Sequence, residues 1–348
     1  MDKFLLNYTT DELKNLLVSY NEKSYRAEQI LKSLHLGLDF ESMTDLSKDL
    51  RKKLSENFID QPVKIIKNLI SKDGTQKFLY LLTDNNVIEG VLMKYKYGYT
   101  LCVSTQVGCR MGCTFCASGL NGLVRNLEPC EILGQVIAVN RHLLGGIGDK
   151  RKIINIVLMG SGEPLDNYEN TTKFLDLVSM QGGINISLRN ISLSTSGIVP
   201  NMIKLADDGY AVNLTVSLHH PFDDERKEMM PIAKAYYISQ ILDACAYFFK
   251  KTGRRYIFEY VLIKDNNDSQ RHADTLIKLL KGRPCHINII RLNEVKEKEL
   301  RSTTDKDAYR FMGLLEKAGL SATVRRRMGD DIEGACGQLR RRYLSDNL

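Results

Sequence analysis

The sequence predicts an α/β fold in which six strand–helix units curl into a partial barrel, and three observations predict it. Six short apolar segments, Leu101–Thr105, Ile153–Met159, Ile191–Thr195, Val212–Leu218, Tyr256–Leu262 and Ile287–Arg291, alternate with stretches of helical periodicity. Several of them run into small or polar residues: Gly160-Ser161-Gly162-Glu163, Ser194-Thr195-Ser196-Gly197, Ser217-Leu218-His219 and Asn293. In parallel α/β folds the site gathers at the carboxyl ends of the strands, so these tips are the candidate site. Ahead of the six units lie a helical segment and a segment of period two, which read as additions to the barrel.

The first of these additions spans residues 1–60, a small helical accessory domain. Thr10-Asp11-Glu12-Leu13 resembles a helix start, with leucines at 13, 16 and 17 on one face. Arg26–Leu36 and Leu46–Phe58 repeat that amphipathic pattern. Residues 61–98 form a β-hairpin and strand linker, with Asp73-Gly74 as its turn and Val87–Met93 as a strand. The barrel core is expected over 99–300, and a C-terminal helix, strand and loop over 301–348.

Composition narrows the class. A 43% apolar and 26% charged chain builds a large core and is not disordered. No apolar run approaches the ~18 residues of a membrane span, and Met1-Asp2-Lys3-Phe4 does not open a secretory signal. A cytoplasmic monomer is the expectation. The net charge of +7 is modest, but six arginines fall between Arg325 and Arg342, as the triplets Arg325–Arg327 and Arg340–Arg342 around an acidic loop. Two such triplets suit contact with the phosphates of a nucleic acid.

Three of the eight cysteines cluster as Cys109-x3-Cys113-x2-Cys116, immediately after a strand. Zinc would want a fourth Cys or His at paired spacing, and no second pair follows. An iron–sulfur cubane held by three thiolates keeps one iron open to a small chelating molecule, such as one with an amino acid's amine and carboxylate. Cys130, Cys245 and Cys285 stand in no motif and read as structural.

Cys-x3-Cys-x-Phe-Cys, with Phe115 before the third cysteine, resembles the signature of the radical S-adenosylmethionine (SAM) superfamily. Leu101–Cys109, Met159–Leu165, Ser194–Gly197, Ser217–His219 and Ala335-Cys336-Gly337-Gln338-Leu339 resemble, more narrowly, the adenine-C2 RNA methyltransferases of the RlmN type. The similarity runs from about Tyr25 to Leu339. It implies a 4Fe-4S cluster on Cys109, Cys113 and Cys116, and two SAM molecules per turnover. Gly162, Glu163, Ser194, Ser217, Leu218, His219 and Asn293 match family positions that bind the cofactor.

The resemblance also implies a covalent route to a carbon that is not nucleophilic. Cys336 would be methylated and, as a methylene radical, would add to C2 of adenine. Cys102 would release the product by forming a disulfide with Cys336. Glu89 matches the family's proposed proton acceptor, and Met159 a methionine near the two cysteines. The implied substrates are adenine 2503 of 23S rRNA and adenine 37 of tRNA, with an electron donor such as flavodoxin as a further partner.

Arg291 stands where adenine-C2 members often have proline, and an arginine there occurs in C8-methylating resistance enzymes of the Cfr type. That activity is the alternative. Gln106-Val107-Gly108, Glu163-Pro164-Leu165 and Ser194–Gly197 favour C2. A non-catalytic iron–sulfur RNA-binding protein would leave Glu163 and Cys336 unexplained. A glycyl-radical activating enzyme needs no counterpart of Cys336.

Overall fold

The computed structural model describes residues 3–294, 299–332, 339–340 and 343. Three helices open the chain: α1 (Thr10–Ser19), α2 (Arg26–His35) and α3 (Lys48–Asn57). Thr9 caps α1 in a reciprocal box with Glu12, so the helix starts at Thr10, as the motif in the sequence suggests. The antiparallel strands β1 (Val63–Ile70), β2 (Gln76–Leu82) and β3 (Val87–Tyr95) follow, then β4 (Gly98–Cys102). A small ladder of β5 (Gln106–Gly108) and β6 (Leu123–Asn126) precedes α4 (Pro129–His142).

The alternating part comprises β7 (Ile153–Leu158), α5 (Tyr168–Ser179), β8 (Ile191–Thr195), α6 (Val199–Asp207), β9 (Asn213–Ser217), α7 (Asp223–Met229) and α8 (Ile238–Thr252). It ends with β10 (Tyr256–Leu262), α9 (Gln270–Leu280), β11 (Cys285–Arg291), α10 (Asp305–Lys317) and β12 (Ala322–Val324). One ten-stranded sheet runs β1-β2-β3-β4-β7-β8-β9-β10-β11-β12, parallel from β4 onward. This is the expected α/β fold with six parallel strands, plus a seventh, β12, at the far edge.

One expectation needs correcting. The hairpin segment is not a linker: β3 pairs with β4 from Val91↔Cys102 to Tyr95↔Gly98, so β1–β3 continue the main sheet. The expected N-terminal helical segment is present, and its helices pack onto the barrel. Leu13, Leu17, Ile30 and Leu34 belong to the same buried cluster as Val136 and Ile137 of α4 and the barrel strands. Three ten-residue helices with one apolar face each cannot enclose a core, so they cover part of the barrel's.

Turn chemistry agrees with the sequence where it was explicit. Gly74 adopts φ +84° in the β1–β2 turn, where Ser71 N–H donates to the Thr75 carbonyl. Among the described residues no helix is long and apolar enough to cross a membrane.

Candidate active site

The cysteine loop is built before any chemistry is asked of it. β5 and β6 pair at its base, and Cys109 N–H donates to the Gly122 carbonyl at 2.9 Å. Gly108 has φ +83°, and a Cβ there would lie 2.1 Å from the Gly122 oxygen, so only glycine lets this base close. Further along, Thr114 N–H reaches the Met229 carbonyl at the end of α7, and Cys116 N–H turns back onto the Cys113 carbonyl. These bonds fix a loop that presents three sulfurs to one cavity of about 270 Å³.

Cys109, Cys113, Cys245 and Cys285 are free thiols. Burial first, then the neighbouring Cys116, Glu163 and Asp166, push the Cys109 thiol up to about 12, against the Met111 amide. Cys113 moves the same way for the same main reason, with Cys116 and Cys109 as its largest charged neighbours. Three crowded sulfurs, Cys109 buried and Cys113 and Cys116 half-buried, suit deprotonation by a bound cation, and a soft all-sulfur set suits iron–sulfur chemistry. The donor set fits a cluster with three protein ligands.

Opposite the sulfurs lie Gly162, Glu163, Ser194, Ser217, His219 and Asn293, all lining the same cavity. Gly162 sits at φ +110°, and a Cβ would come within 2.7 Å of the Gln106 nitrogen. Glu163 is anchored at both carboxylate oxygens, by Leu165 N–H at 3.1 Å and Ser196 N–H at 2.7 Å. Burial raises its carboxyl against the pull of those bonds. A fixed acid beside hydroxyls and a glycine turn suits the amino group of an amino acid-like ligand. His219 takes φ +58°, and its Nδ1 accepts Val261 N–H at 3.1 Å. Burial, then Arg226, lowers its imidazole to about 3, so it is neutral near pH 7.

Leu218 does not share this position. Its side chain is fully buried in the main core, and its carbonyl accepts Arg226 Nε–H at 3.0 Å. β9 ends at Ser217, so side chains at 217 and 219 face the cavity while 218 faces away.

A second cavity of about 220 Å³ adjoins the first, with Met159, Glu259, Ile290 and Asn293 lining both. Cys102 lines this second cavity, packed with Val91, Met93 and Met159. Arg291 and Arg325–Arg327 line it too. Arg291 pairs with Asp305. Arg325 pairs with Glu259 at 3.4 Å, and Arg327 donates to the Leu292 carbonyl and Ser302. Arg340 is also engaged inward, through Nε–H on the Val87 carbonyl; Arg341 and Arg342 lie outside the described residues.

Glu89 lines neither cavity. It is buried on β3, 3.5 Å from Lys77 Nζ, and its other oxygen accepts Arg340 N–H at 2.9 Å. Cys336 lies outside the described residues. The described residues nearest to it in sequence, 332 and earlier and 339 onward, include anchored ones. Asp331 accepts Ser71 Oγ–H and Lys72 N–H, while Leu339 packs with Val87 and Leu79.

Two site residues escaped the sequence. Glu259 was hidden in an apolar strand, although an acid inside Tyr256–Leu262 was a signal of a buried carboxylate. Burial raises its carboxyl, and Arg325 opposes the rise. Arg226 sits in Asp223-Asp224-Glu225-Arg226-Lys227, which reads as a solvated stretch. It is fully buried, and its guanidinium ties together the carbonyls of Ser196, Ser217 and Leu218 at the strand tips.

Known proteins resemble this chain along its whole length. A model of the radical SAM superfamily matches residues 103–276, and one of the ribosomal RNA large subunit methyltransferase N-terminal domain matches residues 4–59. The probable dual-specificity RNA methyltransferase RlmN of Clostridioides difficile (strain 630) is 50% identical over 97% of this chain and 98% of its own. Its counterpart in Clostridium novyi (strain NT) is 47% identical over 99% of this chain and 100% of its own. The crystal structure of a radical SAM methyltransferase from Sphaerobacter thermophilus superposes with a TM-score of 0.92 at 40% identity, covering 97% of this chain and 99% of that one.

Proposed function

Since the chain belongs to the radical SAM RNA methyltransferases of the RlmN type, with their 4Fe-4S cluster and SAM, we propose that it methylates C2 of adenine 2503 in 23S rRNA and of adenine 37 in tRNA. Bound here, the cluster would pass on an electron from an external reductant, and the cofactor would supply the methyl group and the hydrogen-abstracting radical. The protein's own residues do the rest. Cys109, Cys113 and Cys116 hold the cluster. Gly162 and Glu163 take the cofactor's amino group, with Ser194, Ser217, His219 and Asn293 around the remainder. Neutral His219 can lie against the cofactor without adding charge.

Cys336 carries the one-carbon unit to the base as an S-methylene group, Glu89 accepts the proton leaving C2, and Cys102 frees the product by closing a disulfide with Cys336. The observation that supports this most is the seam between the two cavities: Cys102 lies across Met159 and Glu259 from the cysteine triad. The anchors flanking Cys336 add support, because Arg340 N–H ends on Glu89 itself. Lys77 Nζ lies 3.5 Å from the same carboxylate and holds it in place.

The two cysteines should fail differently. Cys336→Ala has no sulfur to load and forms no protein–RNA adduct. Cys102→Ala loads and attacks but cannot close the disulfide, so its adduct accumulates. A denaturing gel after anaerobic reaction with labelled tRNA reads the difference. Normal turnover by Cys102→Ala would overturn the assignment.

A further inference from the structure

Outside the cavities, three ligand-type side chains converge where the segment after β9 meets the start of α9. His220 and His272 are 1% and 5% exposed, and each turns Nε2 toward the same oxygen of Glu225, at 3.1 and 3.4 Å. All three ligand atoms lie within 4.8 Å of one another. Two imidazoles in a T-shaped arrangement, ring centroids 5.0 Å apart, aim at one point beside the partly exposed carboxylate.

We propose that His220, Glu225 and His272 form a second metal site, for a divalent transition ion of the zinc class, with a fourth position open to water. The spacing admits an ion. Bonds of about 2.0–2.1 Å to nitrogen and oxygen in a tetrahedron separate the ligands by roughly 3.4 Å, close to the 3.1 and 3.4 Å between each Nε2 and the Glu225 oxygen.

The electrostatics of His220 and Glu225 agree with the geometry. Burial lowers His220 to about 4, outweighing Glu225, with His272, Arg271 and Arg226 adding to the fall. Glu225 itself is lowered: burial would raise it, but His220, His272 and Arg271 prevail. At neutral pH His220 is a neutral donor and Glu225 a carboxylate.

The outer contacts are also in place. Ser269 Oγ lies 2.6 Å from His272 Nδ1 and orients that ring, while Arg271 occupies the other Glu225 oxygen at 3.0 Å. Coordination through Nε2 places the imidazole proton on Nδ1. The Ser269 hydroxyl can then turn to accept from His272. His220 gives up a long contact, 3.4 Å from Phe222 N–H. The ion would staple the β9–α7 segment to α9. That segment carries His219 and Arg226, so the site sits behind the cofactor cavity without touching it.

The test is elemental analysis of the reconstituted holoenzyme after anaerobic dialysis against zinc and removal of loosely held ion. One zinc per chain with undiminished iron is expected, together with a zinc-dependent rise in melting temperature. His272→Ala and Glu225→Gln should each lose the zinc and the rise, yet keep their iron and their cofactor cleavage. Glu225→Gln preserves shape at a partly exposed position and decides the matter if His272→Ala does not fold. No retained zinc, equal zinc in the Glu225→Gln variant, or zinc gained only as iron is lost would overturn the proposal; the last would place it on the cysteine triad.

Discussion

Replacing Lys77 by Met separates what the buried ion pair does for the fold from what Glu89 does for the reaction. Lys77 and Glu89 are 0% and 2% exposed, with Nζ and Oε1 3.5 Å apart. At that distance and an effective dielectric of about 20, their attraction is roughly 5 kcal/mol. Removing one partner leaves the other charge buried, which typically destabilises by about 3–5 kcal/mol. Lys77→Met should therefore lower the urea midpoint substantially, and Glu89→Leu should do the same by removing the carboxylate 3.5 Å from the ammonium. The double variant Lys77→Met/Glu89→Leu buries no charge and should recover most of the loss. Its RNA methylation should stay absent if Glu89 accepts the C2 proton as proposed. Urea unfolding and anaerobic turnover on the same preparations give both readouts. A double variant no more stable than the worse single one would refute the coupling. One that methylates RNA normally would remove Glu89 from the mechanism.

Other perturbations probe the site and the fold. Gly162→Ala forces an L residue to φ +110° with its Cβ 2.7 Å from the Gln106 nitrogen. Strain of about 1–3 kcal/mol should cut 5′-deoxyadenosine formation roughly five- to a hundredfold while the iron content holds. Arg326→Gln, at the mouth of the Cys102 cavity, should lower the salt slope of RNA binding by about 0.7–0.9 per lost phosphate contact and leave RNA-free cofactor cleavage unchanged. His35 is lowered to about 4 by burial, and its Nδ1 accepts Ile184 N–H at 3.0 Å. Its folded value lies below the unfolded ~6.5, so the stability tied to its neutral form is present above pH ~6.5 and lost as pH falls towards 4. His35→Gln should flatten the decline in urea midpoint between pH 6 and 5, by up to about 1.4 kcal/mol per pH unit.

Local signals carried much of this molecule. The strands from Leu101 to Arg291 were legible because each is a short apolar run bounded by turn residues, and the cysteine triad because three thiols within eight residues have few other uses. What escaped was set by distant packing. Helix-forming leucines at 13 and 17 do not say which surface they will cover, and here it is the barrel's own. The hairpin turn at Asp73-Gly74 was plain, but pairing of β3 with β4 is a non-local choice. Glu259 and Arg226 went unseen because their chemistry depends on burial, which their neighbours in sequence disguise. Leu218 was grouped with the site by its motif, and the parity of β9 sends it into the core.

Anaerobic turnover with tRNA and with a 23S rRNA fragment, followed by mass spectrometry of the digested nucleosides, tests the central claim most directly. The account predicts 2-methyladenosine from both RNAs, dependent on SAM, reductant and all three clustered cysteines. Adenosine methylated at C8 would contradict it, and so would 2-methyladenosine formed at full yield by Cys113→Ala.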